Sequence, residues 1–192
     1  MDDGSQGPGQ AGRPRPDLVR LSSRKRLPGF LVLCAVLVGC AQTSPEPTRE
    51  SATIERNGDG DTLDVRGGKR VRLVQIDAPE LGEGECYARE SQRELERLAP
   101  RGTRVELEAD PRLDDVDRYG RLLRYVHATD ANLNVELVRK GAAAPYFRGG
   151  DEGRYADELL AAVDEARQEN RGMWGSCRVS WDRDRAVVTR SR

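Results

Sequence analysis

The run ATIERNGDGDTLDVRGGKRVRLVQIDAPE, Ala52 to Glu80, decides how this chain folds. Ala52 to Arg56 and Thr62 to Arg66 are short β-prone segments, and Asn57-Gly58-Asp59-Gly60-Asp61 between them is a Gly/Asp turn. Gly67-Gly68 is a second tight turn. Arg70 to Ile76 is a third strand, in which Val71 and Leu73 alternate with Arg70 and Arg72. The folded part therefore begins as a three-strand meander.

Further along, Tyr87 to Leu98 reads as a helix. Ala88, Gln92, Leu95 and Ala99 line one side, and Pro100 and Gly102 stop it. Thr103 to Glu108 and Leu122 to His127 are strands. Asn132 to Lys140 is a short helix closed by Gly141, and Glu152 to Asn170 is a longer one with Tyr155, Leu159, Ala162, Val163 and Ala166 at helical spacing. Five short strands with three helices between and after them predict a mostly β domain, an OB-fold with a Greek-key barrel, over residues 52–177. A split α+β sandwich is the architectural alternative. Arg178 to Arg192 lacks periodicity and is expected to be a flexible C-terminal tail.

The 192 residues suit one domain, and 34% charged against 5% aromatic residues means a small core under a charged surface. The formal net charge is -1, but the first 39 residues hold six of the 32 Lys+Arg and only three of the 33 Asp+Glu. What remains is more acidic still. A diffuse basic field is excluded, so nucleic acid would have to be held by locally placed arginines with help from a cation.

Residues 1–39 read as an export signal. Arg20, Arg24, Lys25 and Arg26 form a positive segment, Phe30 to Val38 is apolar, and Leu37-Val38-Gly39-Cys40 follows. The apolar run is too short for a permanent span. Leu37 to Cys40 resembles the lipobox of bacterial lipoproteins, which implies cleavage before Cys40 and its lipidation. Residues 40–51 then form an anchor cysteine and a polar tether. Residues 1–19 fit neither signal nor fold, and translation is expected to start near Val19. The expected location is exported, at the cell surface or secreted, with the membrane met only through a lipid. Loss of the signal leaves Cys86 and Cys177, an even pair in an exported domain, open to a disulfide or to two free thiols.

Three short stretches carry chemistry. Asp59, Asp61 and Asp77 offer hard oxygens for a divalent cation such as Ca²⁺, with the carbonyl of Ala78 as a further donor. An EF-hand does not account for the first of these, because its sixth position here is Thr62 and its twelfth is Gly68. Arg72, and Arg121 within Asp117-Arg118-Tyr119-Gly120-Arg121, are planar permanent cations that can each grip two phosphate oxygens. Glu80 is placed to orient or deprotonate water, whereas Glu83 and Glu85 read as ordinary loop acids. His127, the one histidine, reads as structural. No Ser or Cys stands in a nucleophile setting. The set is equipment for metal-assisted phosphodiester cleavage.

In this order and spacing, Asp59-Gly60-Asp61-Thr62, Arg72 with Ile76-Asp77-Ala78-Pro79-Glu80, and Asp117 to Arg121 resemble the staphylococcal nuclease (thermonuclease) family. Leu137-Val138-Arg139-Lys140-Gly141 and Trp174 extend the resemblance. It implies an OB-fold and Ca²⁺-dependent hydrolysis of DNA and RNA to 3′-phosphate ends by a monomer. By the same resemblance Asp61 and Asp77 are the calcium carboxylates and Ala78 gives a main-chain oxygen. Arg72 and Arg121 bind phosphate as catalytic residues, Glu80 acts on water, and Tyr119 and Tyr146 contact substrate. The contexts of Cys86 and Cys177 imply that they pair. Replacing either arginine is expected to spare the fold and lower the rate. The competing reading is a non-catalytic OB-fold protein that binds nucleic acid at the surface, for which few aromatic stacking platforms are present.

Overall fold

Gly67 and Gly68 both adopt positive φ, 92° and 77°, a conformation that glycine enters without a Cβ clash. They turn the chain between two strands of a barrel. The computed structural model describes residues 48–129 and 131–192. The signal segment, Cys40 and the start of the tether lie outside these residues. In chain order the elements are β1 Arg49–Asn57, β2 Thr62–Val65, β3 Lys69–Leu73, β4 Ile76–Asp77, α1 Ala88–Leu98, β5 Arg104–Glu108, β6 Leu122–Ala128, β7 Ala131–Asn132, α2 Leu133–Arg139, β8 Ala144–Pro145, α3 Ala156–Gln168, α4 Met173–Ser176, β9 Arg178–Asp182 and β10 Arg185–Arg190.

The strand order β3-β2-β1-β5-β6 closes on itself because β3 also pairs with β6, in parallel. The result is the five-stranded OB barrel. Its alternating inward residues, Ile54, Leu63, Val71, Leu73, Val105, Leu107 and Val126, are buried, and α2 and α3 add Leu133, Leu137, Val138, Leu159 and Val163. The meander of β1, β2 and β3 stands as expected, and the helices lie within a few residues of the positions their spacing marks. Among the described residues no helix is long and apolar enough to cross a membrane.

Three boundaries differ from the sequence expectation, each for a physical reason. First, residues 49–51 are not tether but the start of β1. Arg49 pairs in register with Glu108 and its guanidinium lies 3.0 Å from that buried carboxylate. Second, the strand read through Ile76 breaks at Gln75, whose φ is 65°. Its side chain ties the turn to the segment before α3, Nε2 donating to Asp151 O at 2.7 Å and Oε1 accepting from Gly153 N at 2.7 Å. Ile76–Asp77 thereby leaves the barrel and pairs with Ala144–Pro145. Third, residues 178–192 are not a loose tail. β9 and β10 form an antiparallel hairpin whose Val187 and Thr189 are buried. The missed signal is short: each strand supplies only two inward residues, Val179 and Trp181, then Val187 and Thr189.

Cys86 and Cys177 are joined in a disulfide across 91 residues of sequence, with Cα atoms 6.0 Å apart. It fastens the start of α1 to the residue that precedes the hairpin.

Candidate active site

The turn that carries Asp59 and Asp61 is held by packing as much as by turn preference. A Cβ on Gly60 would overlap Ser91 Oγ of α1 and lie 2.7 Å from the Cβ of Ala78. Only a bare backbone fits between them. Asp61, 2% exposed, is fixed on both oxygens: Thr62 Oγ1 donates to Oδ1 at 3.1 Å and Ala78 N to Oδ2 at 2.9 Å. The amide of Ala78, the residue expected to lend a carbonyl, thus orients the first carboxylate.

Arg72 reaches from β3 into this acidic turn. Its Nη1 lies 2.9 Å from Asp61 Oδ2 and donates to Ile76 O at 2.8 Å, and its Nη2 donates to Asp77 Oδ1 at 2.8 Å. One guanidinium bridges the two carboxylates. Burial pushes Asp61 up to about 7 against the pull of Arg72, with Asp59 and Asp77 adding to the rise. Asp77 is also raised, chiefly by burial. Arg72 is itself raised, because the acids outweigh the cost of its burial. Glu80 is exposed as a residue, yet partial burial of its carboxyl, with Asp59 and Asp77 nearby, lifts it too.

Two buried carboxylates therefore share one largely enclosed cation, with Asp59 and Glu80 adding negative charge nearby. Among the described residues no three His, Cys, Asp or Glu side chains group as a closed metal cage. The donor chemistry nonetheless suits a hard cation: carboxylate and main-chain oxygens, excess negative charge, and Asp59 Oδ1, which is buried without a hydrogen-bond partner. Water would complete such a shell.

Arg121 comes from a different direction. Leu123 is the register partner of Arg72 across the parallel β3–β6 seam, and Arg121 lies two residues before it, just ahead of β6, where both arginines border one space. Asp117 holds the tight turn before β6. Its Oδ1 accepts from Tyr119 N at 2.9 Å and Arg121 N at 3.0 Å, and its Oδ2 from Arg121 Nε at 2.6 Å. Partial burial works against the Asp117 charge, but these three donors keep its carboxyl below the usual range. Tyr119 is 68% exposed and lies against the guanidinium groups of Arg118 and Arg121.

A cavity of about 560 Å³ is lined by Arg72, Arg118, Tyr119, Arg121 and Tyr146, among others. Both arginines and both tyrosines singled out from the sequence thus face one space. Asp61, Asp77 and Glu80 are not on its wall; Asp61 and Asp77 reach it through Arg72. A second cavity, about 1020 Å³, lies across the same turn and shares Tyr119 and Arg121.

Two carboxylates that brace the candidate site escaped the sequence reading. Asp117 is one, visible only as an acid at the head of a turn. Glu85 is the other: its Oε2 accepts from Glu80 N at 2.8 Å and its Oε1 from Thr189 N at 3.1 Å. No local pattern distinguishes it from a loop acid. His127 is buried in a structural cluster, with Nε2 2.8 Å from Glu108 Oε2 but without hydrogen-bond alignment.

The family described as staphylococcal nuclease homologue matches residues 70–176. An uncharacterized endonuclease of Escherichia coli O157:H7 is 36% identical over 156 residues, 79% of this chain and 90% of that protein. An uncharacterized endonuclease of Haemophilus influenzae is 29% identical over 153 residues, 77% of this chain and 76% of that protein. A micrococcal nuclease of Shigella flexneri is 36% identical over 129 residues, 60% of this chain and 68% of that protein. With a match of this length on a closed barrel that sets two arginines over one cavity, the chain belongs to the staphylococcal nuclease family and is a nuclease hydrolase.

Proposed function

We propose that the chain is a Ca²⁺-dependent nuclease that hydrolyses phosphodiester bonds of DNA and RNA and leaves 3′-phosphate ends. The observation that carries this reading is the double engagement of Arg72, which bridges Asp61 and Asp77 and also lines the cavity shared by Arg121, Tyr119 and Tyr146.

Asp61, Asp77 and the Ala78 carbonyl would hold the ion, which when bound supplies positive charge toward a phosphate oxygen. The rest falls to side chains. Arg72 and Arg121 contact phosphate oxygens from two sides and stabilise the charge that grows on them in the transition state. Glu80, with its raised proton affinity, takes a proton from the attacking water. The bond to the 5′ oxygen breaks, that oxygen takes up a proton, and the phosphate stays on the 3′ side. Tyr119 and Tyr146 flank the substrate.

Activity outside the cytoplasm, as a lipid-anchored or secreted monomer, belongs to the same proposal. The Cys86–Cys177 disulfide supports it, since such bonds persist in oxidising compartments. The test is to incubate the purified chain with DNA and with RNA, in calcium or in chelator, and to identify the ends. Cleavage only in calcium, with 3′-phosphate termini, is expected. Affinity without cleavage would replace the nuclease by a binding protein.

A further inference from the structure

The family match ends at Ser176, and the hairpin of β9 and β10 begins two residues later. We propose that this hairpin is part of the cleavage machinery, with Val187, Thr189 and Glu85 as positioning residues for Asp77 and Glu80. The inference rests on the assignment of Asp77 to the cation and Glu80 to the water.

The device is a β-bulge. β10 pairs Arg185 with Asp182 and Val188 with Ser180, so three residue steps on one strand oppose two on the other. A bulge leaves an amide outside the ladder. Here the amide of Val187 donates to Asp77 Oδ2 at 2.9 Å. Asp77 is thereby held on one oxygen by Arg72 and on the other by the hairpin. Two residues on, Thr189 N donates to Glu85 Oε1 while Glu85 Oε2 accepts from Glu80 N, a relay from the hairpin to the backbone of the water-handling residue. Thr189 Oγ1 also donates to Cys86 O at 2.7 Å.

The hairpin is well anchored for this task. The disulfide ties its root to Cys86. Trp181 Nε1 donates to Pro145 O at 2.8 Å, and Phe147 N to Arg183 O at 2.7 Å, on both sides of Tyr146. Val187 packs with Ala144, the β8 residue paired with Asp77. A backbone N–H given to a carboxylate fixes its rotamer and direction, and partners of this kind typically change ion affinity or activity by about 10–100-fold.

The test uses the full chain with Val187→Pro, which removes the amide hydrogen, Val187→Ala, which keeps it, and Glu85→Gln, which keeps the shape but leaves one acceptor for the two amides of Glu80 and Thr189 and so breaks the relay. Calcium binding is measured calorimetrically without substrate, kcat and KM at saturating calcium, and folding by thermal unfolding in chelator. Val187→Pro should weaken calcium binding about tenfold, and Val187→Ala should restore it. Glu85→Gln should lower kcat about tenfold with KM and calcium affinity little changed. Folded Val187→Pro with unaltered calcium affinity, together with Glu85→Gln of unaltered kcat, overturns the proposal. Should Val187→Pro fail to fold, Glu85→Gln decides alone. An unsubstituted chain that neither binds calcium nor cleaves would instead overturn the underlying assignment, and the hairpin's role with it.

Discussion

The two arginines over the cavity are held in opposite ways. Arg72 is enclosed, 12% exposed in its side chain, and compensates two buried carboxylates besides facing the cavity. Arg121 stands on a surface turn, is twice as exposed, and answers to Asp117 alone among the described ion pairs. One cation is part of the architecture and the other is carried on it. The two replacements should therefore differ: Arg121→Ala should spare the fold, whereas Arg72→Ala should destabilise it as well as slow the rate. Removing one member of a buried ion cluster leaves uncompensated charge, a far larger penalty than loss of a surface pair.

Arg72→Ala gives the largest effect, because it strikes both properties. It should lose about 3–5 kcal/mol of stability in chelator along with most of the turnover, as read by urea unfolding and by rate. Arg121→Ala should lose about a thousandfold in turnover while the urea midpoint stays within about 1 kcal/mol of the unsubstituted chain. Equal stability losses in the two variants would erase the contrast.

A pair of glycines sharpens it. Gly60→Ala pushes a methyl into Ser91 and Ala78 beside Asp61 and should destabilise by about 1–3 kcal/mol. Gly120→Ala, in the Arg121 turn, meets nothing within 4 Å and has only its φ of 80° to accommodate, about 1 kcal/mol. Urea unfolding of both checks whether the first turn is limited by space and the second by conformation.

The response to pH should differ in sign between the two sides. Asp61 is raised to about 7 in the folded chain, so folding favours its protonated form; that stability is present below pH 4 and is lost as pH rises to about 7. Asp117 is lowered, so its contribution is present above the ordinary carboxyl range and is lost as pH falls through it. In chelator, Asp61→Asn should flatten the loss toward neutral pH, and Asp117→Asn should flatten the loss in acid. The same slope in both variants would contradict this pairing of signs.

The contrast also marks what sequence could reveal. The meander, the helices and the arginine-bearing motifs are local: alternation, helical spacing and tight-turn glycines sit within a few residues of one another. That Arg72 is enclosed is not local, because it depends on Asp61 being held by the Ala78 amide and on the αL turn at Gln75 that swings Asp77 out of the strand. Gln75 carries no glycine-like warning, and its turn is held by residues 76 and 78 positions away. The hairpin was illegible for a related reason. Its inward residues are few, its bulge interrupts their period, and its contacts are with Asp77, Glu85, Cys86 and Pro145, roughly a hundred positions upstream at the farthest.

The parallel β3–β6 pairing does more than shut the barrel. Arg72 lies on one lip of that joint and Arg121 beside the other, so their separation is defined only after segments about fifty positions apart have met. Such distant contacts pay their loop-closure entropy first and form late. A molecule in which this pairing has not formed would hold the reactive side chains without the cavity they share, and should not cleave. Refolding monitored in parallel by tryptophan fluorescence and by cleavage should find cutting confined to the slowest phase.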